Sequence, residues 1–316
     1  LLFLPMRRVL LRGLLGISLS ALLLLAVVGW IFSSVVTQPN RMKGHEQSYA
    51  ARLLPRQEAA RATGGGVFSL KTRDGVTLSG IHFRHKPAND RFIVLVHGFG
   101  GSILDYDKQP LMWLDLGYDV FVYDQRDSGL SGGSHISCGV FESRDLADVV
   151  VFARTQVAPG ALAGVVGCSM GGAVVLLYAG QGGPCDFVVA DCPYTSFYEE
   201  ALYRLEKDYR FLPRFLAPAI GASADFMIRL RAGFSLRDAA PIGCVDRIHC
   251  PVLFFNTAED RFIPTRMTQL LFDKATAPKR LRVFPKGGHS AAFVRYPSEY
   301  RAELASFLAD DVCRLH

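Results

Sequence analysis

Six short runs of almost uniformly apolar residues recur along the chain: FIVLVHG, DVFVYD, LAGVVGCS, DFVVAD, PVLFFN and LRVFPK, starting at residues 92, 119, 162, 186, 251 and 281. They lack the polar–apolar alternation of a half-exposed strand. Each therefore reads as a strand covered on both faces, the pattern of a mostly parallel sheet between two layers of helices. The segments between them are long enough for crossover helices. In ESRDLADVVVFARTQ (142–156), for example, apolar positions 146, 149, 150 and 153 recur at helical spacing. Ahead of the runs, VFSLKT (67–72) and VTLSGIHF (76–83) flank an Asp74-Gly75 turn and read as an opening hairpin. The expectation is an α/β domain over residues 67–316 with eight strands, the first two antiparallel and the rest parallel. Residues 197–243, rich in aromatics and arginine, exceed a normal strand connection and read as a small helical cap inserted into the sheet domain.

A chain of 316 residues has room for one large domain or two ordinary ones. Half of its residues are hydrophobic and a fifth charged, which excludes disordered, collagenous and coiled-coil classes. The net charge of +6 is confined to the first 66 residues, which hold eight Lys/Arg against two Asp/Glu; the remainder holds 27 of each sign. A body without net charge has no field to attract phosphate backbones, so nucleic acid is not an expected partner. The seven cysteines lack CxxC spacing, which argues against a zinc site, and Cys244 with Cys250 is a pair able to bridge in an oxidising compartment. Cys168 reads as a buried small residue.

The stretch Gly13 to Phe32 contains no charge, and its apolar character runs on to Val36. At about 1.5 Å per residue, twenty residues match a hydrocarbon core of roughly 30 Å. Arg7, Arg8 and Arg12 precede it, and Trp30 lies near its far end, where an interfacial ring would sit. Met6 followed by two arginines resembles a start. The expectation is a transmembrane helix within residues 1–36, serving as a single-pass anchor with the main domain on the extracytoplasmic side. A cleaved signal peptide and a core helix are the alternatives. Residues 37–66, interrupted by Pro39 and Pro55 and closed by Gly64-Gly65-Gly66, read as a juxtamembrane linker.

The fifth expected strand ends in GCSMGG, residues 167–172, directly before a helical AVVLLYAG. Between a strand and a helix, G-x-S-x-G places Ser169 on a sharp turn as a nucleophile. The HGFGG turn, residues 97–101, follows the third strand. Its glycines allow close backbone approach, so the amides of Phe99 and Met170 are the expected oxyanion donors. His97 itself reads as a structural imidazole. Among eight histidines, His289 in FPKGGHSAAF follows the last strand on a flexible Gly287-Gly288 pair and is the candidate base. Its carboxylate partner is expected to be Asp260 after the seventh strand, with Glu259 beside it and Asp191 after the sixth as competitors. Tyr194 and Phe197 are candidates for an apolar acyl pocket. No expected site residue lies before His97.

The order Ser169, Asp260, His289, together with HGFG, GCSMGG and YDQRDSGLSGG (123–133), resembles the α/β-hydrolase fold over about residues 67–313. Within it the chain is similar to the bacterial esterase and serine-aminopeptidase-like branch. The resemblance implies an eight-stranded sheet, an acyl-enzyme mechanism on a carboxylic ester, thioester or amide, and no cofactor or metal. An acyltransferase using the same acyl-enzyme, or a catalytically idle hydrolase-fold binding module, are the other readings. The expected partner is a small-molecule or lipid-like acyl substrate, and the oligomeric state is open. One departure stands out. The family's D-x-R-G-x-G-x-S turn keeps Asp124, Arg126, Gly129 and Ser131 here, but Asp127 replaces its first glycine.

Overall fold

The computed structural model describes residues 3–38, 44–85 and 89–313; the side chains of residues 3–18 and 21 lie outside the description. In chain order the helices are α1 (Phe3–Thr37), α2 (Glu46–Ala62), α3 (Gln109–Asp115), α4 (Glu142–Arg154), α5 (Met170–Gly180), α6 (Phe197–Asp208), α7 (Ala217–Ala232), α8 (Thr265–Lys274), α9 (Ala292–Arg295) and α10 (Pro297–Phe307). The strands are β1 (Gly66–Lys71), β2 (Thr77–Phe83), β3 (Arg91–Val96), β4 (Asp119–Tyr123), β5 (Leu162–Cys168), β6 (Phe187–Asp191), β7 (Val252–Thr257) and β8 (Lys279–Phe284).

The strands form one sheet in the order β1-β2-β4-β3-β5-β6-β7-β8. β2 pairs antiparallel with both β1 and β4, and every other pairing is parallel. β4, β6 and β7 are buried along their whole length, as their largely apolar sequences predict, but β8, expected to be covered on both faces, leaves Arg282 and Val283 exposed because it is the edge of the sheet. Successive residues of these strands feed two cores on opposite faces of the sheet. Val94, Phe121 and Val165 face the side covered by α4 and α5, while Ile93, Val120 and Val166 face the side covered by α2 and α10. Helix α4 turns Leu146, Val149, Val150 and Ala153 inward at the spacing read from the sequence.

The N-terminal arm departs from expectation. Residues 37–66 are not a simple linker, because they contain α2, which buries Tyr49, Leu53 and Ala60 against the sheet. Pro55 sits inside that helix without ending it. The Tyr49 hydroxyl donates to Asp124 Oδ1 at 2.6 Å, and Arg56 donates to the carbonyls of Leu104 and Tyr106. Pro39, Arg41 and Lys43 lie outside the described residues.

No helix among the described residues is long and apolar enough to cross a membrane. The expected span falls partly on residues whose side chains lie outside the description, among them Arg7, Arg8 and Arg12. Its last turns, expected to lie in lipid, instead pack against the cap. Leu25, Val28 and Phe32 pack with Ala217 and Ile220, Ser223 Oγ donates to Leu25 O at 2.9 Å, and the Arg231 guanidinium lies 3.9 Å over the Trp30 ring. Gly29 makes this possible, since a Cβ there would collide with Ser223. The other side of α1 turns Leu22, Leu23 and Val27 to the surface.

The cap itself is α6 and α7 with the turns around them, carried between β6 and β7. All seven cysteines are free. Cys250 Sγ faces Cys185 Sγ at 3.6 Å rather than Cys244, whose sulfur lies instead against the carbonyls of Pro241 and Leu176.

Candidate active site

Ser169 stands between β5 and α5 with φ +58° and ψ −121°, a conformation costly for a residue with a side chain. Its neighbours make the turn possible. A Cβ on Gly167 would collide with the backbone of Gly171, and one on Gly171 with the carbonyl of Val96. The Ser169 amide donates to Asp191 O at 2.8 Å, fixing the turn to β6. Met170 is the first residue of α5, and its amide is one of the helix-terminal N–H groups that have no intrahelical acceptor. Phe99 lies in the turn after β3, and Gly98 packs against Ser169, where an added Cβ would lie 3.3 Å from the serine Cβ.

His289 reaches the serine from the loop after β8. Ser169 Oγ and His289 Nε2 are 2.8 Å apart, and His289 Nδ1 lies 2.7 Å from Asp260 Oδ2. In the tautomer protonated at Nδ1, the ring donates to the carboxylate and accepts from the serine hydroxyl. Asp260 is itself held, its Oδ1 accepting from the amides of Phe262 and Ile263 at 2.9 and 3.0 Å. The histidine loop is tied down by Thr257 Oγ1, which donates to Gly287 O at 2.6 Å, and by Glu259, whose Oε2 accepts from the Gly287 amide. Glu259 thus holds the loop and leaves the imidazole to Asp260.

Burial by itself depresses the His289 pKa. Charge on Cys192 and the hydrogen bond and charge of Asp260 oppose it, taking the group from 6.5 up to about 10. Burial also holds the Cys192 thiol protonated well above its usual range. Its attraction is therefore missing near neutrality, where Asp260 alone opposes the effect of burial on the ring. Asp191, the competing carboxylate, is buried at the end of β6, pairs with neither imidazole nitrogen, and is pushed by burial up to about 7. His97 binds backbone: its Nε2 accepts from the Gln125 amide at 2.9 Å and its Nδ1 donates to Gly98 O at 2.8 Å.

Two cavities meet at Ser169. One, of about 390 Å³, has mixed walls that include His97, Asp105, Gln109 and Asp191. The other, of about 270 Å³, is mainly apolar and lies under the cap, lined by Phe99, Met170, Tyr194 and Phe197. The four pocket and oxyanion candidates are therefore gathered around one space. Phe99 stacks on Phe197 at 5.9 Å, and Tyr194 is locked by donating to Cys138 O at 2.6 Å. Sequence reasoning missed part of the lining of this space, contributed by Phe32, Val35 and Val36 of α1 and by Glu200 of α6. The signal available was the apolar character continuing past Phe32 to Val36, up to the end of the helix.

Among the described residues two groups, Cys168–Asp191–Cys192 and Cys192–Asp260–His289, bring metal-ligating atoms within 4.8 Å of one another. In the second, both imidazole nitrogens already face Asp260 and Ser169, and a metal would have to displace one of them.

Asp127 adopts φ +51°, so the family's turn persists with an aspartate where glycine is the easier residue, its amide donating to Gly132 O at 2.8 Å.

A sheet with this strand order and a serine on the strand–helix turn define an α/β-hydrolase architecture, and a model of the alpha/beta hydrolase fold matches residues 92–224. The chain belongs to the α/β-hydrolase family. It is 35% identical over 245 residues to the uncharacterized protein YqkD of Bacillus subtilis, covering 77% of this chain and 78% of the relative. Among solved structures it is similar to the esterase Pf2001 of Pyrococcus furiosus, with a TM-score of 0.63 and 21% identity over 78% of this chain and 93% of that one. It is also similar to an acylaminoacyl peptidase of Pyrococcus horikoshii, with a TM-score of 0.61 and 15% identity over 78% of this chain and 41% of that one.

Proposed function

We propose that this protein is a serine hydrolase that cleaves a carboxylic ester, thioester or amide through an acyl-enzyme on Ser169. The observation that carries the reading is the unbroken chain of short contacts from Ser169 Oγ to His289 to Asp260, at 2.8 and 2.7 Å. Ser169 Oγ attacks the carbonyl carbon while His289 Nε2 takes its proton. The negative oxygen of the tetrahedral intermediate is stabilised by the amides of Phe99 and Met170, an interaction that strengthens as charge develops. His289 then gives its proton to the leaving group, and a water activated by the same imidazole releases the acid. The acyl group occupies the apolar cavity beneath the cap, and the leaving group departs through the mixed one. The esterase and peptidase activities in the names of fold relatives support this class of bond.

We further propose that α1 attaches the enzyme to a membrane surface, which fits a lipid-like acyl substrate. Support comes from the uncharged stretch 13–32 and the outward Leu22, Leu23 and Val27. Turnover of p-nitrophenyl esters of graded chain length tests the first proposal. It should be rapid in the native chain and fall by several orders of magnitude in Ser169→Ala. Wild-type turnover in that variant would refute it.

A further inference from the structure

Glu200 is an unusual member of an acyl cavity. It lies on the first turn of α6, only 3% exposed, and lines the same apolar space as Ser169. Both of its carboxyl oxygens are buried without a hydrogen-bond partner among the described residues. Its neighbour Glu199, by contrast, accepts from Thr195 Oγ1 at 2.6 Å. Buried polar groups left unpaired are rare, because each forfeits its hydration without return. The charged groups around Glu200 are on three elements. Arg204 and Asp208 on α6 pair with each other at 2.6 Å, and the Arg204 guanidinium also lies 4.4 Å over the Phe262 ring. Arg266 on α8 and Asp260 at the end of β7 complete the set. Burial, helped by Asp260 and Asp208 and opposed by the two arginines, moves Glu200 up to about 8.

Resting on the hydrolase reading above, we propose that Glu200 is a specificity-determining residue that selects acyl groups carrying a hydroxyl on an otherwise apolar chain. The physical argument is one of matching. An unionised carboxyl both donates and accepts, and a hydroxyl does the same, so one alcohol satisfies the group without burying an ion. An ammonium would have to be desolvated and would force the carboxyl to ionise in an apolar wall, an exchange that at best breaks even. A plain alkyl chain fills the space but leaves the carboxyl unpaired, and sites built to hydrogen-bond a substrate group discriminate strongly against analogues lacking it. Phe32 and Val35 of α1 line the same cavity, so it has apolar surface for the remainder of the chain.

The test uses the full chain and p-nitrophenyl esters of one length, plain or hydroxylated at successive carbons. At the matching position the hydroxyl should raise kcat/KM about tenfold or more. Glu200→Leu should abolish that preference and improve the plain ester, and Glu200→Gln, which still hydrogen-bonds, should keep most of it. Calorimetric binding of the corresponding N-methyl amides to Ser169→Ala reads the cavity without the chemistry, so failure of the hydrolase reading and failure of this one are separable. A tighter hydroxylated amide supports the assignment. Equal binding at every hydroxyl position, a preference unchanged by Glu200→Leu, or stronger binding of an ammonium-bearing chain overturns it.

Discussion

Replacing Tyr49 by phenylalanine removes one oxygen from a helix that the sequence presents as a linker. That oxygen donates at 2.6 Å to Asp124 Oδ1, which also accepts from the Ile103 amide at 2.9 Å, while Oδ2 accepts from Leu130. Asp124 is buried, and burial raises its pKa despite these donors. Losing a hydrogen bond to a charged group costs about 1.5–3 kcal/mol, and here the remaining carboxylate has no route to water. For a domain of this size that corresponds to a fall in Tm of roughly 3–12 °C. Urea denaturation followed by circular dichroism should show a lower midpoint with an unchanged slope, the mark of lost stability without a change in compactness. Because Ile103 lies in the segment after the Phe99 turn, ester turnover should fall as well, in kcat more than in KM. An unchanged midpoint would mean that α2 is an appendage rather than part of the core, and would refute the packing argument.

Asp260→Asn should preserve the fold but present the wrong imidazole tautomer and cost about 10⁴ in turnover, whereas Asp191→Asn should cost far less; reversed penalties would move the acid to β6. The acid limb of kcat/KM should lie above 6.5, because the base works only as the neutral ring and its pKa is raised. In Asp260→Asn that limb should move down, and a pH titration of residual activity checks the sign. Gly171→Ala should destabilise by several kcal/mol, about 3–5, since the new methyl meets the Val96 carbonyl; thermal melts of the purified variant decide. Removing residues 1–37 strips Phe32, Val35 and Val36 from the cavity wall, so the preference for acyl chain length should broaden even if the protein remains folded; an identical chain-length profile would show that α1 plays no part in the site.

The inner strands of the sheet were legible because burial on both faces leaves its trace in nearly every residue, and the serine turn because steric exclusion at Gly167 and Gly171 permits little else there. His289 was legible by elimination, whereas Asp260 was only the favoured one of three acids, and the contacts of the fold separate it from Glu259 and Asp191. What stayed hidden depends on contacts distant in sequence. Nothing local distinguishes Tyr49 in a polar, proline-containing segment from a linker residue; its partner is 75 positions away. An apolar helix reads as a membrane span unless the surface it packs on is known, and the groove beside Ser223 cannot be inferred from α1 alone. Glu200 was hidden for the same reason. On a helix with acidic neighbours it reads as a solvated face, and only the fold turns it into the cavity. The cysteines followed suit, since the contact of the Cys250 thiol with that of Cys185 is set by the adjacency of the β5–β6 connection to the start of β7.

Trapping the proposed acyl-enzyme is the most direct measurement. Rapid quenching of the native chain with a p-nitrophenyl ester, followed by intact-mass and peptide mass analysis, should reveal one acyl group per chain on the peptide containing Ser169, formed with a stoichiometric burst of p-nitrophenol. The same experiment with His289→Ala should give neither burst nor adduct. The thiols of Cys168 and Cys192 lie 3.7 Å apart beside the serine, which makes the site of attachment decisive. An adduct mapped to either cysteine, or turnover with no burst and no adduct, would contradict the assignment of Ser169 as the nucleophile.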